Sequence, residues 1–139
     1  MILASAYGDY LPEQVKPLLD GGVLKVYSVA RPRNPDEPVT RSGLLATFRF
    51  ATPAFVAAAG TAVGEPDGGT LSGAALVENP VNPEGVGTPG FARAYAADGV
   101  TPIADFIVGH AGGPQGGEVM LSEISTTPGY PVRLTALRL

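Results

Sequence analysis

Few residues in this chain are of types that do chemistry. His110 is the one histidine among 139 residues and there is no cysteine, so any Ser-His-Asp triad or imidazole metal site would have to run through VGHAGG, at the end of an apolar run. No G-x-S-x-G nucleophile turn accompanies it, and His110 is read as a loop histidine without catalytic duty. Asp98 and Asp105 flank an expected hairpin, and Glu118 and Glu123 fall on one later expected strand, the kind of pairing a glycosidase uses. Thirteen acidic residues scattered along a chain offer such pairs without design. GHAGGPQGG has the glycines of a phosphate cradle but neither the Lys-Ser/Thr ending nor a helical pattern after it, and no D-x-D-x-D-G calcium spacing occurs. The expectation is no catalytic residue, no metal, no cofactor and no enzymatic activity.

The densest charge lies in RPRNPDEPVTR, where Arg31, Arg33 and Arg41 surround Asp36 and Glu37 and prolines stand at 32, 35 and 38. Two readings stay open. The segment is a solvated loop that compensates its own charge, since exposed ion pairs contribute little. Alternatively it is a docking arm: the prolines restrict the unbound chain and lower the entropy lost on binding, and arginines supply planar bidentate donors suited to interfaces. On the second reading Arg31, Arg33, Asp36, Glu37 and Arg41 are the candidate subunit interface.

The elements that would carry these residues are short strands. Val23 to Ser28, VLKVYS, follows the turn signal Asp20-Gly21-Gly22. In LLATFRF, Leu44, Ala46, Phe48 and Phe50 share one face, expected to be the core, while Leu45, Thr47 and Arg49 share the other, with Arg49 toward solvent or a partner. The connection between the two, residues 29–43, far exceeds a hairpin loop. Leu71 to Glu78 reads as a strand with an interruption at Gly73. NPVNPEGVGTPG is a second long proline-rich connection. Phe91, Arg93 and Tyr95 then alternate with Ala92, Ala94 and Ala96, and Asp98-Gly99 supplies a turn before VTPIADFIVG, which makes a hairpin. EVMLSEIS and PVRLTALRL close the chain, with Val132, Leu134 and Ala136 opposing Arg133, Thr135 and Leu137. Before Asp20, a helix through Leu11, Val15, Leu18 and Leu19 capped by Asp9 would be interrupted by Pro17, so residues 1–22 are expected as an extended or briefly helical N-terminal arm.

Composition agrees with strands. With 19 Gly and 14 Pro but 45% apolar residues, helix interiors are disfavoured while a packed core is not. The expected fold is all-β: a jelly-roll-like or immunoglobulin-like two-sheet β-sandwich with long loops, one domain over 1–139. A net charge of −4, with lysine only at Lys16 and Lys25, argues against a general grip on nucleic acid. No apolar run reaches a membrane span and MILASAYGDY lacks a basic n-region, so a soluble chain without an export signal is expected.

At VLKVYSVARPRNPDEPVTRSGLLATFRF and again at GFARAYAADGVTPIADFIVG, the chain resembles a group of small virion proteins of tailed bacteriophages. That group has a strand ending near K-x-Y-S, an R-P loop, an L-L-A-T strand with alternating apolar residues, a G-x-A-x-x-x-R-x-x-D-x-D-G-like strand and turn, and a closing sheet. The blocks keep this order over about residues 20 to 138. The chain departs from the pattern at the turn, Ala96-Ala97-Asp98-Gly99, and in its proline-rich loops. Within the group it is most similar to the capsid cement (decoration) proteins of jelly-roll type. That resemblance implies a structural, non-enzymatic subunit on the outer surface of a phage head. Its partners would be the major capsid protein and a second copy as a homodimer, with neither nucleic acid nor membrane bound; it would pass through the host cytoplasm during assembly. A carbohydrate- or host-binding β-sandwich of a tail or fibre is the alternative; the lack of Trp and the presence of only five Tyr weigh against it.

Overall fold

The computed structural model describes residues 1–28, 31–40, 43–55, 76–110, 118–137 and 139. Among these the fold is all-β: mostly strands in a curled, mixed sheet, with a few short helical turns. The strands are β1 (Ile2–Leu3), β2 (Val23–Ser28), β3 (Leu44–Arg49), β4 (Pro89–Tyr95), β5 (Pro102–His110), β6 (Val119–Leu121) and β7 (Leu134–Leu137). They hydrogen-bond in the order β3-β2-β4-β5-β6-β7, and β1 pairs with β5. All pairings are antiparallel except β5 with β6, which is parallel.

β5 has a double role. Its first part pairs with β4 on one side and with β1 at Ala104 and Asp105 on the other; its last part, Val108 to His110, pairs with β6. β1 and β6 thus follow one another along the same edge of β5. The β4-β5 hairpin forms where the sequence placed it, around Ala96 to Thr101, with Gly99 at φ 76° and Ala96 N–H donating to the Thr101 carbonyl. Entry into β2 needs glycine twice over. Gly21 has φ 68°, and a Cβ on Gly22 would stand 2.2 Å from the Tyr95 carbonyl oxygen, a distance at which no side chain fits.

The inner face of the sheet carries the apolar core. Leu24, Val26, Ala46, Phe48, Phe50, Ala92, Ala94 and Phe106 cluster there with Val119, Leu121, Leu134 and Leu137; burying each large side chain contributes roughly 1.5–3 kcal/mol. Ala46, Phe48 and Phe50 are buried and Arg49 is exposed, as alternation requires, but Leu45 is buried as well and Leu44 only half so. The reason is a bulge. Val26 pairs with Ala46 and the next residue, Tyr27, with Leu44, so Leu45 is an extra residue that packs against Gly85 and Gly87. The same device corrects the last strand, where Leu137 was expected opposite the buried set. Met120 pairs with Ala136 and Leu121 with Leu134, which leaves Thr135 over and turns Leu137 into the core.

Residues 1–22 are not an extended arm. α1 (Pro12–Val15) passes at Lys16 into a single 3-10 turn, Lys16–Leu19, with Pro17 inside it. Val15 and Leu19 are fully buried in the core; their burial offsets the ordering of the segment. The brief helicity expected there is present, docked rather than free.

Residues 76–87 join the two outermost strands of the sheet. On the β3 side, Val77 N–H donates to Arg49 O and Glu84 N–H to Leu45 O. On the β7 side, Val81 and Val132 exchange two backbone bonds, and the Asn79 side-chain amide donates to Leu134 O (2.8 Å) while accepting from Leu134 N–H (2.9 Å). Asn79 therefore supplies both halves of a peptide link just before Pro80, which has no N–H to give. Gly85 lies so near β3 that a Cβ would stand 2.5 Å from Leu44 O. Of the strand expected over Leu71 to Glu78, only residues from Leu76 onward are described; Leu76 makes a single bridge to Phe50, and the rest, with Gly73, lies outside the described residues.

Candidate functional site

The opposite, outer face of the sheet is organised around an ion pair. Alternation along β4 puts Phe91, Arg93 and Tyr95 on this face, and the register sets Arg93 between Lys25 of β2 and Asp105 of β5. Arg93 and Asp105 are 2% and 1% exposed. The guanidinium grips the carboxylate with both arms, Nε to Oδ1 at 2.7 Å and Nη2 to Oδ2 at 3.0 Å, the bidentate geometry that arginine alone provides. Burial works against the Arg93 charge, but the hydrogen bonds and charge of Asp105 outweigh it and its pKa is raised.

The remaining donors of Arg93 hold a loop. Nη1 donates to Glu37 O at 2.6 Å and Nη2 to Asn34 O at 3.3 Å. These carbonyls belong to residues 31–40, a strap that crosses the outer face. Pro35 and Pro38 deprive it of the N–H groups a strand ladder uses, so its carbonyls need donors from elsewhere, and the arginine supplies them. The strap is turned locally by Asn34, whose side chain accepts from Asp36 N–H (3.0 Å) and whose carbonyl accepts from Glu37 N–H (3.2 Å). Asp36 in turn accepts from Ser5 N–H at 2.9 Å, tying the strap to the N-terminal segment.

Beside the strap lies an open cleft of about 370 Å³ between Pro35–Val39 and the Tyr27, Tyr95, Val100 and Pro102 side of the hairpin. The two phenol oxygens are 3.2 Å apart and share a hydrogen bond. Tyr27 stacks on Phe91 with ring centroids 5.2 Å apart; burial first, and the bond to Tyr95 second, push its pKa up. The Lys25 ammonium sits 5.1 Å over the Tyr95 ring, within cation–π range.

The candidate interface residues fall on this strap. Arg31, Arg33, Asp36 and Glu37 have exposed side chains, while Pro35 is buried; Arg41 lies outside the described residues. The backbone of 31–40 is laid on its own sheet rather than projecting from it. Asp98 and Asp105 do not work together. Both oxygens of Asp105 are taken by Arg93, whereas Asp98 caps its own turn, accepting from Val100 N–H, Thr101 N–H and the Thr101 hydroxyl; the Thr101 bonds, followed by that to Val100, lower its pKa. Glu118 and Glu123 flank β6 rather than share it. Glu118 accepts from Ile107 N–H at 3.1 Å and pairs with the Met1 ammonium. His110 ends β5 with its backbone paired to Leu121; its side chain and residues 111–117 of the glycine-rich loop lie outside the described ones.

Neither a family model, nor a curated protein, nor a solved structure matches this chain. The outer face combines a buried charged clamp, a proline-bearing strap and a cleft with a tyrosine pair. The sequence reading set Asp105 beside Asp98 and left Arg93 as one residue of an alternating strand, so the pair they form was missed. Their signal was present as an arginine set between two aromatics on one strand face, with an acid on the partner strand.

Proposed function

We propose that this chain is a capsid cement protein, which binds the outside of an icosahedral phage shell and stabilises it without catalysing a reaction. The observation that carries this reading is the order of sequence blocks shared with that group, VLKVYS, the R-P segment, LLATFRF, then GFARAYAADGVTPIADFIVG. Support comes from where those blocks lie: the strand blocks form β2, β3, β4 and β5, neighbours in one antiparallel unit, and the R-P segment lies across them. On this reading the curled sheet is a jelly-roll-like sandwich with β5 as the strand shared between its two layers. The partners are the major capsid protein and a second copy of the chain, and the protein resides on the virion surface.

The strap is the element offered to the shell. Because Arg93 and Asp105 fix its backbone, Arg31 and Arg33 are presented outward from a rigid base, and little entropy is lost when they pair with carboxylates or carbonyls. Individual contacts are modest, but many copies on a symmetric shell add to a large resistance. Electron microscopy of purified particles that contain this chain is the test. Density for the sheet on the outer capsid surface, with the strap toward shell subunits, is expected; location in the tail, or absence from the particle, overturns the proposal.

A further inference from the structure

We propose that the cleft beside the strap is a docking groove for an extended basic peptide segment of another protein, one in which arginine or lysine alternates with proline. The proposal stands on the cleft alone and does not depend on the capsid reading.

The walls are the first reason. Pro35, Pro38, Pro102 and Val100 present rigid, apolar, low-entropy surfaces next to the Tyr95 ring. A polyproline-type ridge fits grooves of this kind, since its own conformation is also fixed before binding. Hydrogen bonding is the second. A polyproline-type segment has solvated carbonyls that require donors. Tyr27 and Tyr95 own two hydroxyl protons but use only one in the bond between them. Whichever phenol donates, the other keeps its proton for a peptide carbonyl. Charge is the third. Asp36 and Glu37 line the cleft, both exposed, and among the described residues neither forms an ion pair with a cation. The one cation among the described residues that line the cleft, Arg93, is buried and paired with Asp105, so the two exposed carboxylates select a basic side chain over an acidic one.

A sugar fits the same walls less well. Pyranose binding needs an open aromatic face, whereas the Tyr27 ring is stacked on Phe91 and the residue is only 8% exposed. The groove is also built before any ligand arrives, because its strap wall is fastened through Asn34 and Glu37 carbonyls to Arg93. Ordering costs on binding are correspondingly small.

The experiment is a two-dimensional amide NMR titration of the full chain with a short acetylated and amidated peptide alternating arginine and proline. Its glutamate–proline counterpart and methyl glucoside are run alongside. Saturable shifts at Glu37, Tyr95 and Val100 with the basic peptide alone are expected, weakening in high salt. Asp36→Asn/Glu37→Gln should lower the affinity about tenfold, and Tyr95→Phe about threefold, the scale of one charged and one neutral hydrogen bond. Thermal unfolding of both variants checks that the groove is intact; if either unfolds early, the salt dependence and the acidic counterpart still decide. The proposal is overturned by equal binding of the acidic peptide, by shifts that map elsewhere, by no saturable shift at millimolar peptide, or by glucoside acting at these residues where the peptide does not.

Discussion

Two proline-rich segments cross this molecule, and they are held in opposite ways. Residues 76–87 are woven into the sheet by backbone bonds at both outer strands, with Asn79 standing in for the peptide group that Pro80 cannot offer. Residues 31–40 lie across the outer face on two carbonyl bonds to a single arginine and one bond from Ser5 to Asp36. The first attachment is distributed, so no one side chain decides it. The second converges on Arg93, whose own position depends on Asp105. A proline-rich chain can thus be fixed either by many local substitutes for a ladder or by one polydentate cation, and only the second can be undone at a point.

Arg93→Met separates the two segments most sharply. It leaves Asp105 buried without a partner, at a cost of about 3–5 kcal/mol, and frees the strap. Chemical denaturation should show the loss, and Arg93→Met/Asp105→Leu should recover most of it, because replacing both members of a buried pair by apolar groups is often neutral. In that double variant, hydrogen exchange of the strap amides should accelerate while Val81 and Val132 keep their protection; acceleration at both would show that the segments are not independent.

Asn79→Ala acts on the other side. Leu134 loses a donor and an acceptor in a part-buried place, a loss of about 1–3 kcal/mol, with faster exchange expected at Leu134 and unchanged exchange at Glu37. Asp98 belongs to neither segment and sets the baseline. Its folded pKa is depressed, so its bonds contribute stability above the ordinary carboxylate range and that contribution fades as pH falls through the folded value. Carboxyl NMR should show Asp98 titrating below the usual aspartate range, and Val100 and Thr101 amides should shift along the same curve. The smallest effect on stability is expected from Arg31→Ala/Arg33→Ala/Arg41→Ala, within about 0.5 kcal/mol of the parent in thermal unfolding. Poor capsid occupancy of this variant, by gel densitometry of purified particles, would support the strap as the shell contact; full occupancy would make it a solvated loop.

How far the sequence could be read depended on where bulges fall. Alternation located β2, most of β3 and the β4-β5 hairpin, because runs such as Ala46-Thr47-Phe48-Arg49-Phe50 bury one face and leave the other half-buried or exposed. It failed at Leu45 and Leu137, each one step past an extra residue. The Arg93–Asp105 pair was hidden by the same effect. Continuing the pairing of Ala96 with Thr101 strand by strand would set Arg93 opposite Ala104. In the structure Ala94 pairs with Ala104 and Tyr95 with Pro102, so Ile103 is the extra residue and Asp105 arrives opposite Arg93. A bulge carries no compositional mark of its own, and a one-residue slip exchanges the faces. The strap was legible as a long, charged, proline-stiffened segment, but not its docking, which needed the arginine partner two strands away.

Residues 76–87 also impose an order on synthesis. They bind Leu45 and Arg49 on one side and Val132 and Leu134 on the other, residues made before them and residues made after them. A chain emerging from the ribosome can pair β2, β3, β4 and β5 and dock Val15 and Leu19, yet the cover of the inner face is incomplete until Val132 and Leu134 are free to receive Val81 and Asn79. Contacts so distant along the chain form late. A nascent or prematurely ended product therefore displays a phenylalanine-rich sheet surface, the form in which this protein most needs a chaperone and is most prone to stick to its neighbours.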